Sequence, residues 1–303
     1  MKSKIYDTLI IGDLHYNESR QQAIKISEDS ILQKIQGKQF KTIVFLGDLF
    51  DKKPSAFERC LLADFLVKLR KYSLGGFDFI IGNGKHTFEN TSIHEEDWIK
   101  LCPDFRLHAE LRKGNFVFAH YEVKGTKYIN GYLSDSKKEV DKDLIYVLGH
   151  VHSPRCSFDN VHYVGSIYKV SLSEETDVKR IAVIENDELS FIDIETRPMY
   201  QVNLKAINSK IKSSNIKTLL ESKDKDIDLK IQVISDDISI SAVYTFIQKL
   251  KKKFNVEYYK EDLQLISEKQ EVPEYLDREK LLKKYCKDKN INYDLITSEL
   301  EKK

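Results

Sequence analysis

The chain lacks long hydrophobic runs, Cys-x-x-Cys pairs and any sizeable net charge, and each absence excludes a class of protein. Among its 303 residues no apolar stretch approaches the roughly 20 residues that cross a bilayer. The basic start, Met1 to Tyr6, runs straight into a short β-like stretch, without the apolar region or small-residue cleavage site of a secretory leader. The sequence therefore predicts a cytoplasmic protein with no membrane partner. The four cysteines, Cys60, Cys102, Cys156 and Cys286, are too scattered for a zinc or redox pair and read as free thiols. A formal net charge of +1 excludes a grossly basic surface but not a local basic patch. Hydrophobic residues at 41% with charged residues at 32% exclude a disordered chain. The length suits one large α/β domain with a smaller appendage.

What is present is an alternation of short apolar runs with helix-period segments. Thr8 to Ile11, Thr42 to Leu46 and Phe77 to Ile81 are rich in β-branched and aromatic residues, as buried strands are. Between them, Ile24, Ile31, Leu32 and Ile35 suit one helix face, and Leu61, Leu62, Phe65, Leu66 and Leu69 another. Further strands are predicted at Phe116 to Ala119, Leu144 to Leu148, Tyr163 and Val164, Ile181 to Ile184, and Leu189 to Ile194. Fewer helices separate these, so that half of the sheet is expected to be partly antiparallel. Around Thr196-Arg197-Pro198 glycine gives out and lysine becomes frequent. The expected division is a first domain over 1–197, a small α/β domain over 198–270, and a helical tail over 271–303. In the second, Leu229 to Ile234 and Val256 to Tyr259 read as strands around a stripe of Ile240, Val243, Tyr244, Ile247 and Leu250.

Every polar cluster of the first domain follows a predicted strand, where open α/β sheets place their sites. These are Gly12-Asp13-Leu14-His15, Gly47-Asp48-Leu49-Phe50-Asp51, Gly82-Asn83-Gly84-Lys85-His86, His120, and Gly149-His150-Val151-His152. In an extended segment alternate side chains share a face, so Asp13 and His15 can address one metal. Imidazole mixed with oxygen donors suits Mn²⁺, Fe²⁺ or Zn²⁺ better than an all-oxygen Mg²⁺ or Ca²⁺ site. Two such ions roughly 3.5 to 4 Å apart can clamp a phosphate and activate water at neutral pH. A lone Gly-Asp after a strand is ordinary turn chemistry, but five clusters in register are not. Asp51 has two readings: part of the site, or a cap for the helix beginning around Pro54 and Ser55. His94, His108 and His162 lie outside the motifs and read as ordinary surface or core residues.

The order Asp-x-His, Gly-Asp-x-x-Asp, Gly-Asn, a lone His and Gly-His-x-His, spanning residue 7 to about 170, resembles the calcineurin-like metallophosphoesterase superfamily. That resemblance implies a four-layer β-sandwich flanked by helices. It also implies two divalent metals, Mn²⁺ foremost, with Asp13, His15, Asp48 and His152 at one, Asp48, Asn83, His120 and His150 at the other, and Asp48 as the bridge. Gly47-Asp48-Leu49-Phe50-Asp51 and Tyr163-Val164-Gly165-Ser166-Ile167-Tyr168 further resemble SbcD-type and bacteriophage recombination exonuclease subunits. By that likeness the substrate is DNA, the small α/β domain is a capping domain, and the tail docks on an SbcC-type coiled-coil ATPase; a homodimer is left open. One departure stands out: Gly84 and Lys85 separate Asn83 from the next histidine, where the family writes Gly-Asn-His. His86 is the favoured catalytic residue, able to position or protonate a leaving oxygen near neutral pH, with Lys85 as a cation, or no replacement at all, as the alternatives.

The stretch Tyr121 to Asp135 follows His120 directly. Its Lys124, Lys127 and Tyr128 combine charge with an aromatic face and are candidate substrate contacts. The lysine run 249–253 reads better as a solvated helix end than as a phosphate contact. Two other readings of the whole remain: a phosphatase or cyclic-nucleotide phosphodiesterase on the same metals, and a scaffold on a decayed fold, motivated by the Gly84-Lys85 insertion.

Overall fold

A computed structural model describes residues 4–82, 104–207, 210–214, 216–222, 224–233 and 240–263. The first unit contains strands β1 (Lys4–Ile11), β2 (Lys38–Phe45), β3 (Phe77–Ile80), β4 (Phe105–His108), β5 (Glu110–Lys113), β6 (Phe116–Ala119), β7 (Ile145–Leu148), β8 (Val161–Tyr163), β9 (Arg180–Glu185) and β10 (Glu188–Asp193). They form two sheets, ordered β10-β9-β1-β2-β3-β4 and β5-β6-β7-β8. β1 to β4 run parallel, as do β6 to β8, while β5, β9 and β10 are antiparallel to their neighbours. The expected mixture of parallel and antiparallel pairing is thus present.

The apolar runs of β1 and β2 are continuous because both faces are covered. Leu9, Ile11, Ile43 and Phe45 meet helices α1 (Gln21–Lys34) and α2 (Ala56–Arg70) in one core. Their alternates Ile10, Val44 and Leu46 join Phe116, Phe118 and Val147 of the second sheet in another. Phe45 stacks on Phe79 with centroids 4.9 Å apart; truncating such a buried ring to alanine costs about 3–5 kcal/mol. Among the described residues, the outer face of the second sheet is covered by loop side chains such as Val123, Val151 and Cys156 rather than by a helix.

α2 starts at Ser55, whose side chain accepts from the Glu58 backbone N–H while the Glu58 carboxylate accepts from that of Ser55. Asp51 therefore does not cap this helix. It accepts from Asn17 at 3.0 Å and lies 3.7 Å from His15 Nδ1.

Beyond Arg197, β11 (Met199–Ile207), β12 (Lys210–Ser214), β13 (Asp226–Val233) and β14 (Asn255–Leu263) make a sheet ordered β12-β11-β13-β14, accompanied by α3 (Ile216–Glu221) and α4 (Ile240–Lys253). Among the described residues, its core, with Val202, Leu229, Ile231, Ile247 and Phe254, draws on this unit alone. No described helix is long and apolar enough to cross a membrane. The expected tail, 271–303, lies outside the described residues.

Candidate metal centre

The parallel strands deliver the site. Asp13 and His15 follow β1, Asp48 follows β2, His120 follows β6, and His150 and His152 follow β7. Two sets of ligand atoms converge, Asp13 with His15 and His152, and Asp48 with His120 and His150, and each set could hold a metal ion. The sets adjoin at Asp48, whose Oδ2 lies 3.2 Å from His120 Nε2 and 3.9 Å from His15 Nε2. Asn83 and His86, expected as ligand and catalytic acid, lie outside the described residues, as does Lys85.

Backbone strain marks the same positions. His15, Asp48 and His150 adopt φ of 47°, 37° and 77°, a left-handed conformation that disfavours L side chains and persists where surrounding bonds over-determine it. The Asp48 carbonyl accepts from His15 N at 2.9 Å, and Asp13 Oδ2 accepts from His150 N at 2.9 Å. Packing leaves no slack: a Cβ on Gly149 would stand 2.5 Å from Asp13 Oδ1 and 2.8 Å from His120 Nδ1.

The donor set fits cations. Among the described residues, Asp13 Oδ1, both Asp48 carboxylate oxygens and His120 Nε2 are buried and find no hydrogen-bond partner, an arrangement that costs free energy unless something else satisfies them. His120 Nδ1 lies 2.7 Å from the Leu46 carbonyl. A carbonyl can only accept, so Nδ1 carries the hydrogen and Nε2 faces Asp48 as the available ligand atom. His15 and His152 approach Nε2 to Nε2 at 2.9 Å. That is a hydrogen-bonding distance, and it leaves both ring nitrogens where they could address one cation.

Electrostatics tell the same story for the metal-free protein. Burial alone would lower the His120 pKa, but the Asp13 and Asp48 carboxylates outweigh it and push the imidazole up to about 10. Burial likewise opposes ionisation of Asp13, yet His120 holds its pKa below the ordinary value. His150 is lowered by burial and by the neighbouring His120 charge. Burial also disfavours charge on His152, but Glu174 raises it.

Two carboxylates outside the sequence motifs back the imidazoles. Glu122 Oε1 is 3.1 Å from His150 Nε2, and the same carboxylate accepts from the Tyr128 and Ser134 hydroxyls. Glu174 Oε1 is 3.5 Å from His152 Nδ1. Its Oε2 accepts at 2.5 Å from Lys179, a fully buried ammonium that also donates to the His152 carbonyl at 2.8 Å and to Ser166 at 3.0 Å. Glu122 was within reach of the alternation that pairs Asp13 with His15, since it stands two residues past His120; Glu174 and Lys179 carry no local signal.

Beside His150 and His152 opens a cleft of about 390 Å³, lined also by Glu122, Tyr128, Ile129 and Glu174. Of the candidate substrate contacts, Tyr128 is thus in the site wall. Lys127 lines a neighbouring pocket with Tyr128 and Arg155. Lys124 is an exposed partner of Glu139 at 2.8 Å, the kind of surface pair worth little. His108 pairs with Asp78 and His162 lies against Phe191, both away from the ligand sets. The chain matches no protein-family model, and no curated protein matches it.

Proposed function

We propose that the protein is a metal-dependent phosphodiesterase, acting on DNA as an exonuclease or endonuclease subunit with two divalent cations, Mn²⁺ foremost. The observation that carries the metal part is the pair of adjoining Asp/His sets, whose buried carboxylate oxygens include three that find no hydrogen-bond partner among the described residues. When bound, such ions would activate water and offset the charge of a phosphate. The chain supplies the rest. By the resemblance, Asp48, where the two sets adjoin, would be shared by both ions, and Asn83 would be a ligand alongside His120 and His150. Glu122 and Glu174 hold His150 and His152 in orientation. His120 gives up its Nε2 proton before it can act as a ligand. Tyr128 and the cleft wall receive the substrate, and His86 protonates the leaving oxygen.

The choice of DNA is supported by the likeness of segments 47–51 and 163–168 to SbcD-type nucleases and by the second α/β unit that follows. By the same likeness, the segment after 270 docks on an SbcC-type ATPase. Cleavage of labelled linear DNA with Mn²⁺ tests the reading, with Asp48→Ala as the control expected to lose activity by orders of magnitude. No cleavage by the wild type, alone or with its ATPase, refutes it. Turnover of phosphomonoesters without DNA cleavage transfers the same centre to a phosphatase.

A further inference from the structure

The second α/β unit touches the first through a buried charge cluster that continues to a metal-ligand candidate. Asp228, at the start of β13, is fully buried. It accepts from Arg20 Nη2 at 2.5 Å and faces Arg197 Nε at 3.2 Å. Arg197 in turn donates to Gln22 at 2.6 Å and to the Asn255 carbonyl at 2.7 Å. Arg20 also donates to the Lys169 carbonyl at 3.1 Å, and its guanidinium lies 5.5 Å from the centroid of the Tyr168 ring. The hydroxyl of Tyr168, a residue only 1% exposed, donates to the His15 carbonyl at 2.7 Å.

His15 is the residue whose φ of 47° needs holding. Its N–H is tied to Asp48 and its carbonyl to Tyr168. The Arg20 guanidinium lies within cation–π range of the Tyr168 ring, and it is held by a carboxylate belonging to the other unit. A neutral side chain could fill the same volume at lower desolvation cost, but it could not tie the position of β13 to the ring of Tyr168.

We propose that Arg20 and Tyr168 are positioning residues that couple the seating of the second unit to the geometry of His15, so that the metal set of Asp13, His15 and His152 is complete only when Asp228 is docked. The proposal rests on the metal reading of the site. It makes Asp228, on a different unit from every ligand candidate, a determinant of metal affinity.

The test is an electron paramagnetic resonance titration that counts free Mn²⁺ over the full-length protein, for wild type, Tyr168→Phe, Asp228→Asn and the double variant, with thermal unfolding to verify folding. Wild type should bind two ions. Each single variant should weaken one of them about tenfold, the lower end of what loss of a supporting hydrogen bond costs a metal site. The double variant should be no weaker than the worse single one, because both act through one path. If Asp228→Asn fails to fold, Arg20→Lys carries the same expectation, keeping the charge but losing the guanidinium that joins Asp228, the Lys169 carbonyl and the Tyr168 ring. Undiminished affinity in either folded single variant, or losses that simply add, overturns the coupling alone. Fewer than two ions in the wild type overturns the metal reading itself, and this proposal with it.

Discussion

Without divalent cations, His120 should make the protein's stability fall with rising pH across a window in which few other groups act. Its pKa rises from about 6.5 in the unfolded chain to about 10 in the fold, burial being outweighed by Asp13 and Asp48. A group raised on folding contributes its full stabilisation below the unfolded value and loses it as pH climbs to the folded one. Between pH 7 and 9 the folded imidazole keeps a proton that the unfolded one has released, so each pH unit removes up to about 1.4 kcal/mol and the span removes roughly 2 to 3 kcal/mol. Glu28, raised to about 7 by its burial, acts below this window. Cys156, pushed by burial above its ordinary 9, acts above it. His152, whose burial is outweighed by Glu174, is also raised and adds a loss of the same sign as pH climbs above its ordinary value, one common to the wild type and His120→Asn. Urea unfolding at pH 7, 8 and 9 with a chelator measures the loss, and His120→Asn isolates it by cancelling contributions common to both proteins. A flat profile in the wild type, or an equal slope in His120→Asn, refutes the assignment. With Mn²⁺ present the sign changes: the proton must leave for Nε2 to bind, so the stability that Mn²⁺ adds should grow between pH 7 and 8.

Gly149→Ala forces a methyl group to within 2.5 Å of Asp13 Oδ1 and the Leu46 carbonyl; overpacking of this kind costs about 1–3 kcal/mol, read from the urea midpoint, and Mn²⁺ binding should fail with it. Glu174→Gln removes the nearer of the two carboxylates beside the buried Lys179 ammonium, leaving Asp177 at 3.9 Å, a loss of up to about 3–5 kcal/mol, and should weaken Mn²⁺ binding at His152 by about ten- to a hundredfold in a metal titration. Ser55→Ala removes one half of the α2 capping box and should cost about 1 kcal/mol in urea unfolding, with the Mn²⁺ stoichiometry of the wild type retained.

The parts of this molecule that were legible in its sequence share one property: their signal is local. Strands such as β1, β2 and β6 are buried on both faces, so their apolar runs stand out, and the polar residues that follow them mark strand ends. β4 and β5 were not anticipated because their faces are only partly buried; Phe105-Arg106-Leu107-His108 has neither a continuous apolar run nor a wide enough window to establish a period. β11 and β12 were also missed, since Lys205, Lys210 and Lys212 interrupt their apolar pattern. At the site, Asp13, His15, Asp48, His120, His150 and His152 were readable because each follows a strand. Glu174 and Lys179 were not, for their link to His152 is purely tertiary. Asp51 shows the limit from the other side: a short polar residue before a helix has the composition of a cap, and only the position of Ser55 decides against it.

The raised pKa of His120 also explains how so concentrated a site can fold before any cation arrives. Asp13 and Asp48 are both fully or almost fully buried, and two carboxylates withdrawn from water at close quarters would repel each other while forfeiting hydration. The imidazolium lies within 3.5 Å of Asp13 Oδ1 and 3.2 Å of Asp48 Oδ2, so one proton on Nε2 partly neutralises the pair from within. That proton occupies the atom that a cation would claim. Uptake of a cation there would exchange one positive charge for another at the same place, with His15, Asp48 and His150 already in their left-handed conformations. The fold can thus hold these side chains pre-positioned at the cost of backbone strain, about 1–3 kcal/mol at each such residue, together with the part of the buried charge that one imidazolium leaves unbalanced.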